Sequence, residues 1–171
     1  MDLQSKQSCL HSELPDGISY ALVNVFRRRL LACSTTTGTL LCYIWSHTNG
    51  WEFFATPENN TLAAKMTSSV AIPNVGIWFF DVDGESLLLS EQTGNWDTGF
   101  TWTARGYACV VQISDVITAQ IGGLTDTIDT YNWETLTEST NVASIYNNRY
   151  SHSCALIPKG INDHPTVAIS K

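Results

Sequence analysis

The chain has little charge, and what it has is mostly acidic. Of its 171 residues 15% are charged, and 9 Lys and Arg stand against 16 Asp and Glu, a formal net charge of −7 at pH 7. Phosphate binding runs on surplus Lys and Arg, so nucleic acid is not an expected partner. Long apolar runs are missing too. Ser, Thr and charged residues interrupt every candidate for the ~20-residue span a membrane helix needs, so no membrane is expected. The N-terminal stretch MDLQSKQSCLHSELPDG lacks the apolar centre of a signal peptide. Five cysteines are scattered without a C-x-x-C pair, and the four histidines, His11, His47, His152 and His164, never fall at ligand spacing. No metal and no cofactor are expected on that pattern. The odd cysteine count fits a reduced, cytoplasmic setting. One acceptor sequon, Asn59-Asn60-Thr61, matters only if the chain is secreted.

What is present is strand-forming. Hydrophobic residues make up 43% of the chain, which argues against disorder. Val, Ile and aromatics alternate with Ser, Thr, Asn and Gly, as in short strands joined by turns. The chain also repeats itself. Ser19-Tyr20-Ala21-Leu22-Val23, Ser68-Ser69-Val70-Ala71-Ile72, Gly106-Tyr107-Ala108-Cys109-Val110 and Ser151-His152-Ser153-Cys154-Ala155 each begin a strand. Aligning Leu22, Ser69, Cys109 and Cys154 gives steps of 47, 40 and 45 residues, the period of a four-stranded unit. Second strands follow at 30–33, 77–80, 117–121 and 166–169, and third strands at 40–45, 87–90 and 128–133. Two of the third strands carry Tyr-x-Trp, as Tyr43/Trp45 and Tyr131/Trp133, with both rings on one face at period two. Fourth strands start at Trp51 and Trp96 after turn signals; these tryptophans stand 45 apart, a second marker with the same period.

The segment Ile117–Pro158 resembles a kelch repeat, the four-stranded blade of a β-propeller. A strand closes on Gly122-Gly123, Tyr131 and Trp133 follow, and Arg149-Tyr150-Ser151-His152-Ser153-Cys154 leads into the next strand. The family's second aromatic would fall near Thr137 to Ser139, where this chain has none. The resemblance implies an all-β fold: a kelch-like β-propeller of four-stranded antiparallel blades with an incomplete ring. Residues 1–16 then form a tail, and 17–171 form blades at 17–57, 65–102 and 104–146 with half a blade at 149–171. Rings close with about four to eight blades. A partial ring exposes blade faces, so self-association through those faces is expected.

Trp51, Trp96, Gly122, Gly123, Tyr131 and Trp133 read as structural: rings that fill the space between sheets, and a doublet that turns the chain with positive φ. Arg105, Tyr107, Arg149, Tyr150 and His152 lie at or just before first strands. In kelch-like propellers the loops entering these innermost strands form the partner-binding face, which makes those five the candidate protein-binding residues. An alternative for Arg105, Arg149 and His152 is that they tie neighbouring blades together by hydrogen bonds. The function implied is a protein-interaction module, without catalytic residues. Two other readings share the architecture. Asp97-Thr98-Gly99-Phe100-Thr101-Trp102 resembles the sialidase Asp box, whose Asp and Gly shape a hairpin turn, and some kelch-like propellers are copper oxidases with clustered His and Tyr ligands. Arg27-Arg28-Arg29 and Asp81-Val82-Asp83-Gly84-Glu85 read as hairpin turns.

Overall fold

The computed structural model describes residues 21–35, 39–57, 66–81, 83, 85–101, 105, 107–145, 153–157 and 166–170. Among them are fourteen strands and no helix. Sheet 1 is β1 (Leu22–Phe26), β2 (Arg29–Ser34), β3 (Leu41–Ser46) and β4 (Gly50–Ala55). Sheet 2 is β5 (Met66–Ile72), β6 (Gly76–Asp81), β7 (Glu85–Ser90) and β8 (Trp96–Thr101). Sheet 3 is β9 (Cys109–Gln112), β10 (Ile117–Ile121), β11 (Thr127–Asn132) and β12 (Thr137–Ser144). Sheet 4 is the pair β13 (Ser153–Ile157) and β14 (Thr166–Ser170). Every pairing is antiparallel, and strands lie in sequence order within each sheet. The fold is all-β, and the described sheets do not close a ring.

The sheets stack face to face in chain order because their strands carry apolar residues on both faces. In β6 the odd positions Ile77 and Phe79 pack toward sheet 1, with Phe26, Leu31, Cys33, Cys42 and Ile44. The even positions Trp78 and Phe80 pack toward sheet 3, with Val110 and Tyr131. Val111, Ala119 and Ile121 of sheet 3 meet Cys154, Val167 and Ile169 of sheet 4. A strand buried on both faces reads as a continuous apolar run, which GIWFFD is. First strands are neighbours: β1 lies beside β5, β5 beside β9, and β9 beside β13. Asn24 of β1 donates to Ser69 Oγ of β5 at 2.8 Å.

Turns follow the sequence signals. Arg27 (φ 48°) and Arg28 (φ 62°) form the tight β1–β2 hairpin, and Arg27 donates to the carbonyls of Glu91 and Gln92 at 2.8 and 2.9 Å, joining sheet 1 to the β7–β8 turn. The Asp81–Glu85 segment is the β6–β7 turn, where Asp81 Oδ1 accepts from the Asp83 and Glu85 amides at 2.8 and 2.9 Å. Two strands begin later than the sequence predicts. β1 starts at Leu22 and β9 at Cys109, because Arg105 to Ala108 forms a turn (Ala108 N–H to Arg105 O, 3.2 Å) with Tyr107 at φ 63°. β12 was not assigned from sequence. Its residues are almost all exposed, so it has no apolar alternation, and β11 alone holds it as an edge strand.

The cysteines differ from the expected free thiols. Cys33 and Cys42 form a disulfide between directly opposed residues of β2 and β3 (Cα–Cα 4.1 Å). Cys109 and Cys154 form a second between β9 and β13 (Cα–Cα 5.9 Å). Their sequence separation of 45 is the repeat period itself, so equivalent positions of successive sheets carry the two sulfurs. Cys9 and the Asn59 sequon lie outside the described residues. Among the described residues sheet 4 has two strands, and the Cys109–Cys154 bond cross-links it to sheet 3. Replacing Cys154 by Ser is expected to cost about 2–4 kcal/mol in urea unfolding. Hydrogen exchange at β13 and β14 would rise first; unchanged protection there would show that apolar packing alone holds sheet 4.

Candidate functional site

The segment entering β9 is where the predicted binding residues can be examined in atomic detail. It sits against the β10–β11 turn, which Gly122 (φ 70°) and Gly123 (φ 88°) curl through the left-handed region that a side chain would oppose. The Gly122 amide donates to Thr127 O at 3.1 Å, closing the turn. Arg105 reaches into this turn. Its guanidinium donates to Thr127 O at 2.9 Å, to Gly122 O at 3.4 Å and to Thr125 Oγ1, and it forms an ion pair with Asp129.

Asp129 is nearly wholly buried, 3% exposed, on the face of β11 that meets sheet 2. Its second oxygen accepts the Asn141 amide at 2.7 Å, where Asn141 has φ 54° and β12 bulges against β11. One carboxylate therefore fixes the Arg105 turn and the β12 bulge together. Burial pushes the Arg105 guanidinium below the ordinary arginine value, and the negative charge of Glu138 works against that shift. Thr118 and Gln120 of β10 are buried on the same face, beside Asp129.

Next to this polar group lies an aromatic one. Trp133 stacks on Trp78 of sheet 2 at 5.1 Å between ring centroids and meets Tyr131 edge-on at 4.7 Å. Its Nε1 donates to Thr118 Oγ1 at 2.6 Å. Burial, and then the Glu138 charge, push the Tyr131 hydroxyl above the ordinary tyrosine value. Trp96 packs on Phe79 at 5.5 Å in the layer between sheets 1 and 2, and Trp51 sits opposite Trp45 on the far face of sheet 1.

The five candidate binding residues divide. Arg105 is turned inward, with its side chain 13% exposed, and its bonds described here run within its own sheet. Tyr107, two residues on, is 50% exposed. Arg149, Tyr150 and His152 lie outside the described residues. Sequence reasoning missed Asp129, Thr125 and Asn141. Asp129 had a signal: it stands two residues before Tyr131, so it shares that inward face and requires a buried partner.

Asp97 to Thr101 form strand β8, not the hairpin turn that the Asp-box resemblance implies, and Trp102 lies outside the described residues. Among the described residues no group of His, Cys, Asp and Glu is disposed to hold a metal ion, and no helix is long and apolar enough to cross a membrane. No family model and no curated protein matches the chain.

Arg105→Ala strands a buried carboxylate, a change that costs about 3–5 kcal/mol. We expect urea unfolding to register that loss, and Arg105→Lys to recover little of it because an ammonium lacks the planar fork. The double change Arg105→Met/Asp129→Leu should regain most of the loss. A cost near zero for Arg105→Ala would remove the network from the account of this turn. A separate expectation concerns alkali. Because the folded-state value of Tyr131 is raised, its contribution to stability is complete below the unfolded tyrosine value of about 10 and is lost as pH climbs beyond it. Unfolding free energies measured across that range should fall more steeply for the wild type than for Tyr131→Phe.

Proposed function

We propose that the chain is a run of kelch-like propeller blades acting as a protein-interaction module that presents fixed loops to a protein partner. The successive four-stranded sheets with neighbouring first strands support the propeller reading, as do the Gly122-Gly123 turn and the inward Tyr131. The observation that carries the functional reading is the pairing of Arg105 with Tyr107. The buried guanidinium locks the turn entering β9, and the same turn holds a tyrosine out to solvent. A tyrosine supplies broad contact area and a hydrogen-bonding hydroxyl, and a locked backbone spares the ordering cost of binding. Arg105 on this reading is a positioning residue, and Tyr107 is the contact.

The same reading revises the compartment. Two disulfides suit an oxidising environment such as the secretory pathway or the cell exterior, in place of the cytoplasm expected from cysteine spacing. Affinity capture with the purified chain as bait tests the function. Proteins retained by the wild type should be lost with Tyr107→Ala, a substitution at an exposed site that leaves the thermal midpoint unchanged. An identical set of captured proteins for bait and variant would remove this turn from the binding surface.

A further inference from the structure

The Arg105 guanidinium governs a second exposed apolar side chain besides Tyr107. Leu124, in the β10–β11 turn, is 65% exposed. Arg105 donates to Gly122 O and to Thr125 Oγ1, on either side of Leu124. The same residue accepts the Ala108 amide and so closes the turn in which Tyr107 stands. One anchor therefore fixes the backbone under both side chains.

Backbone geometry singles out the same place. A bulky residue rarely tolerates positive φ, yet Tyr107 is held at 63°. Such a conformation persists where the surrounding bonds over-determine it. The next two residues, Ala108 and Cys109, are buried, so the residue at positive φ is the one at which the chain turns out to solvent.

The surroundings are acidic. Asp126, in the same turn as Leu124, is exposed. The β6–β7 turn leaves the stack at this end too, since Val75 of the β5–β6 turn and Trp133 beyond β11 pack into one layer at the other end. Glu85, which closes the β6–β7 turn, is exposed. Among the described residues Arg105 is the only cation at this end, and Asp129 neutralises it. The chain as a whole carries a formal net charge of −7.

We infer that Tyr107 and Leu124 seat an apolar side chain of a partner segment rich in Lys and Arg, with the Asp126 and Glu85 carboxylates drawing the flanking cations. Two apolar contacts on one anchor give a small centre from which water is excluded. Carboxylates around it form a charged rim that selects partners by sign and speeds their approach. The inference rests on the interaction-module reading and adds the chemistry of what is bound.

Panning a random dodecapeptide display library on the purified 171-residue chain tests it, followed by fluorescence polarisation with a labelled peptide from the recovered set. Recovered sequences should share one large aliphatic or aromatic residue flanked by Lys or Arg. Tyr107→Ala and Leu124→Ser should each weaken binding of the labelled peptide about tenfold. Asp126→Asn should weaken it about threefold at low salt and leave it unchanged at high salt, where the carboxylate is screened. Leu136→Ser, at a leucine 69% exposed in the β11–β12 turn, should bind as the wild type does, and thermal midpoints would verify that all variants fold. Acidic or uncharged recovered sequences overturn the inference, as does binding indifferent to Leu124→Ser. A library that yields no peptide, while affinity capture still retains proteins through Tyr107, overturns this inference and leaves the interaction-module reading standing. Binding and capture that both ignore Tyr107→Ala overturn the two together.

Discussion

Everything in this molecule depends on sheets that are apolar on both sides. A sheet with one wet face needs one neighbour, but β6, buried from Gly76 to Asp81, needs two. Alternation at period two then divides the labour: Ile77 and Phe79 serve one layer, Trp78 and Phe80 the next. Stacking of this kind has no natural stopping point within the repeat itself. Each added sheet satisfies the last and presents a new face. The layers are also directional: Tyr131 and Trp133 of sheet 3 point to sheet 2, and Trp96 of sheet 2 points to sheet 1. A direction is therefore built into the stack, set by which way Tyr131, Trp133 and Trp96 point.

Against that apolar rule the buried polar set of sheet 3 stands out. Thr118, Gln120 and Asp129 face sheet 2 as Ile77, Phe79 and Leu87 of sheet 2 face sheet 1. Where sheet 2 presents apolar groups to the sheet before it, sheet 3 presents these three polar ones, and each is buried. A carboxylate so placed costs several kcal/mol in desolvation unless paired, which is why Arg105 is drawn in from outside the sheet. The gain is in geometry more than in stability, for a hydrophobic trio would pack as well. What the polar set adds is a fixed path for the chain as it enters β9. Directional bonds to Gly122, Thr125, Thr127 and Asp129 hold that path, as dispersion contacts between apolar groups do not.

Much of this was legible in the sequence, for physical reasons that also explain the gaps. The period was readable because each sheet must present the same faces to its neighbours; hence Leu22, Ser69, Cys109 and Cys154 all fall on first strands. Gly122-Gly123 was readable because only glycine adopts positive φ cheaply. β12 was invisible: an exposed edge strand is under no packing constraint and carries no alternation. The start of β9 was set too early because its delay comes from a tertiary contact, Arg105 reaching across to a turn that lies 17 and more residues further on. The disulfides escaped notice for a related reason. Spacing rules look for cysteines close in sequence, whereas here the register of β2 against β3 and the repeat period bring them together. The alignment that made Cys109 and Cys154 equivalent already contained that pairing, because equivalent positions on successive first strands are neighbours in space.

The two disulfides sit at mechanically different places, and that difference bears on how the stack holds. Cys33–Cys42 lies within sheet 1 and faces the layer shared with sheet 2, so it reinforces a sheet already held by ladders on both sides. Cys109–Cys154 crosses from β9 of sheet 3 to β13 of sheet 4, beside the apolar layer of Val111, Ala119 and Ile121 against Cys154, Val167 and Ile169. A covalent link there joins two sheets that the hydrogen-bonded ladders do not join. Held in this way, sheet 4 keeps a fixed orientation against sheet 3, as Arg105 holds the turn entering β9: each removes conformational freedom at a point where the chain passes between packed elements.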